Sequence, residues 1–251
     1  MIEPKNRCWN STSKNPVDST QGLIDLCKDF ITKEMIGVEI GSFAGISSEV
    51  FSYFCKSLFC IDPWDLAFER ENYREIIVNK LMSAEKEFDS LVSKSSNITK
   101  LKGFSNLECE KFKNESLDFV YIDGNHSNDS VKDDILCWMP KVKKNGILSG
   151  HDYGLICRVF VDLNLKADKI YSDASWVIKL NESTVIPTST PYPSCESLNS
   201  NLKVAKKEKE NFKKILMENK SENLNEIQEK IRLKDLEIDK IIRQLSSAKC
   251  R

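Results

Sequence analysis

The sequence predicts an α/β fold, a mostly parallel sheet of seven strands with helices on both faces, followed by a helical or coiled-coil tail. Three observations lead there. Short runs rich in β-branched and aromatic residues alternate with runs of helical periodicity. Seven of the nine glycines (Gly41, Gly45, Gly103, Gly124, Gly146, Gly150 and Gly154) flank the apolar runs, five of them at C-terminal ends or the turns just beyond. That edge of an open α/β sheet is where ligands bind. Finally, the stretch Val38-Glu39-Ile40-Gly41-Ser42-Phe43-Ala44-Gly45-Ile46-Ser47-Ser48 reads as strand, tight turn and helix, with two glycines four apart.

Residues 1–17 are polar, contain Pro4 and Pro16, and read as an N-terminal arm. From Ser19 or Thr20 a helix places Leu23, Leu26, Cys27, Phe30 and Ile31 on one face and leads through Gly37 to the first strand. Val50, Phe51, Phe54, Cys55 and Leu58 follow as an amphipathic run, and Leu58-Phe59-Cys60-Ile61-Asp62 as a second strand. A charged helical stretch from about Phe68 to Ser93 is long for a crossover. Ile98 to Lys102 reads as the third strand and Leu117 to Ile122 as the fourth, ending at Asp123-Gly124. A helix from Ser127 turns Val131, Ile135 and Trp138 inward and stops at Pro140. Gly146 to Gly150 is the fifth strand, then come a helix from Leu155 to Leu163, a short strand near Ile170 and a last strand from Trp176 to Leu180.

This gives a main domain over 18–180, a Pro-, Ser- and Thr-containing linker over 181–200, and a tail over 201–251. The tail carries 14 Lys/Arg against 9 Asp/Glu, and the rest 23 against 29, so a +5 tail joins a −6 body. Leu224, Ile227, Ile231, Ile238, Ile241 and Leu245 follow heptad spacing interrupted by Lys234. A short coiled coil joining copies into a homo-oligomer and a solvated single helix fit that pattern equally.

A net charge of −1 argues against a general nucleic-acid-binding surface. There is no run of 18 apolar residues and no apolar signal core at the start, so a soluble cytoplasmic protein without a membrane span is expected. The nine cysteines form no C-x-x-C. Most of them, Cys27, Cys55, Cys60 and Cys137 among them, fall in apolar patterns, and they read as buried thiols of a reducing compartment rather than a disulfide frame.

At Gly41 to Gly45 the backbone can approach a ligand closely, and the free N–H groups of the next helix favour an anionic group. Asp62 lies 21 residues after Gly41, near the spacing at which a βαβ unit places a carboxylate on ribose hydroxyls. Glu39 and Asp62, taken together, favour an adenosyl ligand. Glu-x-Gly-x-x-x-Gly-x-Ser followed by Ile-Asp-Pro resembles the class I S-adenosylmethionine-dependent methyltransferases, with their Rossmann-like sheet, in the variant lacking the middle glycine that is typical of catechol-type O-methyltransferases. The resemblance spans about Gly22 to Leu180. It implies that Glu39, Gly41, Ser42 and Gly45 line the methionine part of S-adenosyl-L-methionine, that Asp62 holds the ribose, and that Trp64 and the Gly103-Phe104-Ser105 turn flank the adenine.

Both histidines of the chain follow predicted neighbouring strands, His126 in Asp123-Gly124-Asn125-His126 and His151 in His151-Asp152-Tyr153. Two carboxylates and two imidazoles therefore gather at one sheet edge. Methyl transfer to a hydroxyl needs a group that takes the proton or lowers its pKa. His126 is a candidate base, with an unperturbed pKa near ~6.5. Asp123, Asp152 and His151 are candidate ligands of Mg²⁺ or Mn²⁺, an imidazole tilting the choice toward Mn²⁺. By the resemblance, Asp123 ends the fourth strand where metal-dependent catechol-type enzymes place an Asp. His126 stands in the place of their Lys base, and His151-Asp152 in that of their Asp-Asn pair. The longer pattern through Asp134-Ile135, Trp138 and Gly150-His151-Asp152-Tyr153 resembles bacterial and phage methyltransferases of sugar or natural-product modification, which implies a small-molecule or glycan hydroxyl as acceptor. Two rival readings are an NAD-type oxidoreductase, which would want G-x-G-x-x-G, and a non-catalytic domain presenting the coiled coil.

Overall fold

The computed structural model describes residues 19–64, 75–187, 195–217, 230–235, 238 and 241. The expected 1–17 arm and the front of the predicted 68–93 helix lie outside them. The chain divides into two compact units, Met1–Thr188 and Ser189–Arg251.

In the first unit, helix α1 (Gln21–Phe30) precedes strand β1 (Ile36–Ile40), and α2 (Ile46–Phe54), β2 (Ser57–Asp62), α3 (Glu75–Val92) and β3 (Ile98–Lys102) follow. The chain then returns through α4 (Ser105–Cys109), β4 (Leu117–Ile122), α5 (Asn128–Trp138) and β5 (Val142–Gly150), and closes with α6 (Tyr153–Asp162), β6 (Lys169–Ile170) and β7 (Trp176–Lys179). A single seven-stranded sheet results, in the order β3-β2-β1-β4-β5-β7-β6. Strands β1 to β5 run parallel, β7 is antiparallel to β5, and β6 antiparallel to β7. This is the predicted α/β architecture with a mostly parallel sheet. The chain winds outward from β1 to β3 and comes back at β4, so the β1/β4 boundary is the switch point where such sheets open a crevice.

β4 shows how each face is filled. Phe119 and Tyr121 join Leu23, Leu26, Phe51, Leu58 and Phe88 on one side. Val120 and Ile122 join Ile135, Trp138, Leu148, Phe160 and Trp176 on the other. This is the period-two alternation of a strand covered on both faces. A register shift between Leu117 and Phe119 against β5 puts Leu117 with the second group.

Three elements differ from expectation. β5 starts at Val142, four residues before the predicted Gly146. Cys109 of α4 and Cys137 of α5 are joined in a disulfide with their Cα atoms 6.4 Å apart, which corrects the reading of Cys137 as a buried thiol. The two lie 28 residues apart on different helices, so their meeting depends on tertiary packing and leaves no spacing signal. Cys27, Cys55 and Cys60 are buried thiols, and burial pushes Cys55 up to about 11. The third difference is in the second unit, where α7 (Cys195–Met217) begins inside the predicted 181–200 linker. Ile238 and Ile241 bury against Ala205 and Leu202 of the same chain. Lys234, the heptad interruption, pairs with Glu208 at 2.6 Å. Leu224, Ile227 and Leu245 lie outside the described residues.

Helix α1 shows a long-range cap. Thr20, at its N-cap position, makes no side-chain cap hydrogen bond. Instead Asp173, fully buried, accepts from Leu23 N at 2.6 Å and from Ser175 N at 2.9 Å. A carboxylate there satisfies an orphan N–H and sits at the positive end of the helix dipole. Asp173→Ala should lower unfolding free energy by about 2 to 3 kcal/mol, as for loss of hydrogen bonds to a charged group, measured by urea denaturation. A loss under 0.5 kcal/mol would mean that the cap is idle. The unit boundary gives a second expectation. Protein ended at Thr188 should unfold in one cooperative thermal transition, and a non-cooperative melt would tie its stability to the C-terminal unit.

Candidate functional site

Parallel registry aligns the strand ends. Ile40 pairs with Ile122, and Ile122 with Gly150, so Gly41, Asp123 and His151 emerge side by side. Backbone bonds extend the ladder past the strands, from Gly41 N to Ile61 O, Asp123 N to Ile40 O and His151 N to Ile122 O. Gly41 has φ +86°, and a Cβ there would lie 2.1 Å from the Asp123 carbonyl oxygen. A side chain is excluded twice over, by backbone conformation and by contact. Gly45, φ +87°, forms the N-cap of α2 in the left-handed region.

Asp62 closes the turn. Its two carboxylate oxygens accept from Trp64 N at 2.8 Å and Phe43 N at 3.0 Å, and Trp64 Nε1 donates to Phe43 O at 2.8 Å. The predicted ribose acid thus also clamps the β1–α2 turn, leaving each oxygen a second lone pair. The Trp64 ring lies 4.8 Å from that of Phe88, with Lys100 Nζ over it at 4.7 Å. Phe43, 42% exposed in the turn, was not singled out by the sequence.

Glu39 is fully buried. Its Oε2 accepts from Ser42 Oγ at 2.8 Å and from Ser48 Oγ, Ser47 and Cys60 also approach, and Oε1 has no hydrogen-bond partner among the described residues. Burial pushes its pKa up while the serine hydroxyls oppose. A buried carboxylate oxygen left unbonded is expensive and invites a donor.

The four groups after β4 and β5 meet as the sequence led one to expect. His126 Nδ1 lies 2.8 Å from Asp152 Oδ2, and His151 Nδ1 lies 3.3 Å from Asp152 Oδ1 and 3.8 Å from Asp123 Oδ1. The His126 side chain is 52% exposed and that of His151 11%. Asp152 occupies the left-handed region at φ +56°, an uncommon conformation for a residue with a side chain. Hydrogen bonds from His126 and His151 hold Asp152 well below the usual carboxylate range. Asp152 raises His126. Burial disfavours a charged His151, yet Asp152 and Asp123 outweigh it and bring the imidazole to about 9. Burial pushes Asp123 up to about 7, against the pull of His151 and His126. Asp123, His126 and Asp152 offer ligand atoms within 4.8 Å of one another. Sequence reasoning put His151 in that set, and the geometry brings His126 there.

On the β3 side, Phe104 and Ser105 open α4. Ser105 Oγ donates to Asp134 Oδ1 at 2.5 Å and accepts from Trp138 Nε1 at 2.7 Å. Burial pushes Asp134 up to about 7. Sequence reasoning missed the role of Asp134, whose signal was a carboxylate in the buried Val131-Ile135-Trp138 stripe.

Residues 38–153 match the model of a methyltransferase domain family. That match spans the β1 turn, Asp62, the Ser105 turn and the His/Asp cluster. No curated protein matches the chain. Among solved structures, the YcgJ protein from Bacillus subtilis is 16% identical at TM-score 0.35, over 57% of this chain and 55% of that one, so this chain spans about half of its length. An rRNA methylase from Streptococcus thermophilus is 12% identical at TM-score 0.45, over 67% and 98%. N-methyltransferase NodS from Bradyrhizobium japonicum is 15% identical at TM-score 0.42, over 65% and 94%. Among the described residues no helix is long and apolar enough to cross a membrane.

The His126–Asp152 contact makes a measurable difference to one imidazole. With two histidines in the chain, NMR titration resolves both. His126 should titrate above ~6.5 in the wild-type protein and fall toward that value in Asp152→Asn. A His126 curve unmoved by the substitution would remove Asp152 as its partner.

Proposed function

We propose that this chain is an S-adenosylmethionine-dependent methyltransferase that transfers a methyl group to a hydroxyl of a sugar or other small polar acceptor, with His126 as general base. The observation that carries the reading is the His126–Asp152 pair beside Asp123, at the edge where the β1 turn opens. S-adenosyl-L-methionine, when bound, supplies a methyl group on a sulfonium centre. Glu39 Oε1, buried and unbonded, suits an ammonium group, and Gly41, Ser42 and Gly45 form the turn beside it. Asp62 has lone pairs for a 2',3'-diol, and Phe104 and Ser105 line the adenine side.

Because His126 Nδ1 is held by Asp152, Nε2 is the nitrogen that takes the proton of the acceptor hydroxyl. Asp152 then balances the imidazolium. The hydroxyl oxygen forms the new bond to the methyl carbon as the carbon–sulfur bond breaks and its electron pair goes to sulfur. Exposed Asn125 and Ser127 give the site a polar rim that suits a hydroxylated acceptor.

A second reading has its own observation, the clustered ligand atoms of Asp123, His126 and Asp152. Two carboxylates and an imidazole suit Mn²⁺ better than Mg²⁺, and such an ion would lower the pKa of the acceptor hydroxyl. It would have to replace the proton between His126 and Asp152, so base and metal are alternatives for the same atoms.

Calorimetry should show S-adenosylhomocysteine binding and no NAD binding, and the reverse would overturn the cofactor reading. In the base mechanism, His126→Ala lowers kcat by roughly 10² to 10⁴ with cofactor affinity nearly unchanged, and chelator has no effect. In the metal mechanism, chelation abolishes turnover and Mn²⁺ restores it. Wild-type turnover in His126→Ala together with indifference to chelator would reduce the cluster to turn chemistry.

A further inference from the structure

Helix α7, in the second unit, has two unlike sides. Its apolar side is used within the chain, where Leu202 and Ala205 pack against Ile238 and Ile241. Ion pairs flank that seam, Lys209 with Asp235 and Lys234 with Glu208. At 3.6 residues per turn, Lys203, Lys206, Lys207 and Lys214 fall on the opposite side, within about 100° of arc. All four are exposed. The acid in their sector, Glu210, is engaged by Lys213 at 3.1 Å, and none of the four has an ion-pair partner among the described residues.

The whole-chain charge of −1 conceals this row, because it averages a +5 tail with a −6 body. Charges act over a Debye length of ~8 Å at physiological salt, so a ligand meets the row and not the average. From Lys203 to Lys214 the helix rises about 16 Å at 1.5 Å per residue. Four cations over that length approach the charge density of one strand of a nucleic acid, about one phosphate per 3.4 Å. A lipid surface fits less well, since an interfacial helix buries an apolar face beside its basic one. In α7 that face is committed to Ile238 and Ile241, and Val204, 54% exposed, stands at the margin of the row. The exposed row offers neither an aromatic ring to stack a base nor an Arg to read one, so its complement is the phosphate chain alone.

We propose that the face of α7 carrying Lys203, Lys206, Lys207 and Lys214 docks single-stranded nucleic acid through its phosphates, without regard to base sequence. The surface uses none of the residues assigned to methyl transfer, so its failure and the failure of that reading are separate outcomes.

The test is fluorescence anisotropy of the full chain with labelled oligouridylate over a series of KCl concentrations. Four lysines, each displacing about 0.7 counterion from a single strand, should give a slope of log K against log salt of about −3. Replacing all four by Gln, which resembles Lys in helix propensity, should preserve the helical circular dichroism and bring the slope toward zero. Lys203→Gln alone should reduce the slope by about 0.7. Glu210→Gln should tighten binding, because it removes an anion from the row and releases Lys213. Oligoadenylate should bind as oligouridylate does. A wild-type slope near zero, or a slope unchanged in the four-lysine variant with its helix intact, would overturn the proposal. Binding to phosphatidylserine vesicles without binding to either oligonucleotide would overturn it as well, and would assign the row to a lipid surface.

Discussion

The contact between Gly41 and the Asp123 carbonyl is the constraint on which the site depends. With 2.1 Å between that oxygen and the position of an absent Cβ, the β1 turn and the end of β4 occupy space that any side chain would deny them. Parallel pairing of Ile40 with Ile122 sets the strand ends level, and the missing side chain lets the two loops close on each other. Glu39 under the first loop and the His/Asp cluster after the second therefore belong to one crevice. The sheet does the positioning, and the loops carry the chemistry.

Electrostatics at this edge are self-contained. Asp152 sits between two imidazoles and Asp123 between burial and the same two imidazoles, so each group's ionisation depends on the others. The left-handed backbone at Asp152 costs conformational energy, and in return its carboxylate reaches both His126 and His151. The exposed His126 imidazole pairs with Asp152, whereas the largely covered His151 lies against both Asp152 and Asp123. The two imidazoles differ in exposure, 52% against 11%.

How much of this was legible in the sequence depended on range. The strands and helices were readable because apolar periodicity is local, and β4 runs over Leu117–Ile122 as predicted. The meeting of both histidines with Asp123 and Asp152 was readable because each sits directly after a strand of one parallel sheet. What escaped were contacts made between elements. The cap of α1 by Asp173 crosses 150 residues. The Cys109–Cys137 link, the Ser105–Asp134 bond and the engagement of Trp64 by Phe88 and Lys100 depend on how helices pack over the sheet. The intrachain burial of Ile238 and Ile241 on Ala205 belongs to the same class, since heptad spacing specifies an apolar stripe and leaves its partner open.

Buried polar groups are costly, and their distribution in this fold is uneven. Asp173 and Ser175 belong to the cap of α1 and are tied into that helix and the β7 side of the sheet. Glu39, Ser42, Ser47 and Ser48 gather under the β1 turn, where hydroxyls satisfy one carboxylate oxygen of Glu39 and leave the other unmade. An unmade hydrogen bond on a buried group costs about 1 to 3 kcal/mol, and more where the group is charged. A fold selected for stability alone would remove that cost with an apolar residue at position 39. Keeping a carboxylate there makes sense if a ligand cation completes it, because the same deficit that weakens the empty protein then favours the occupied one.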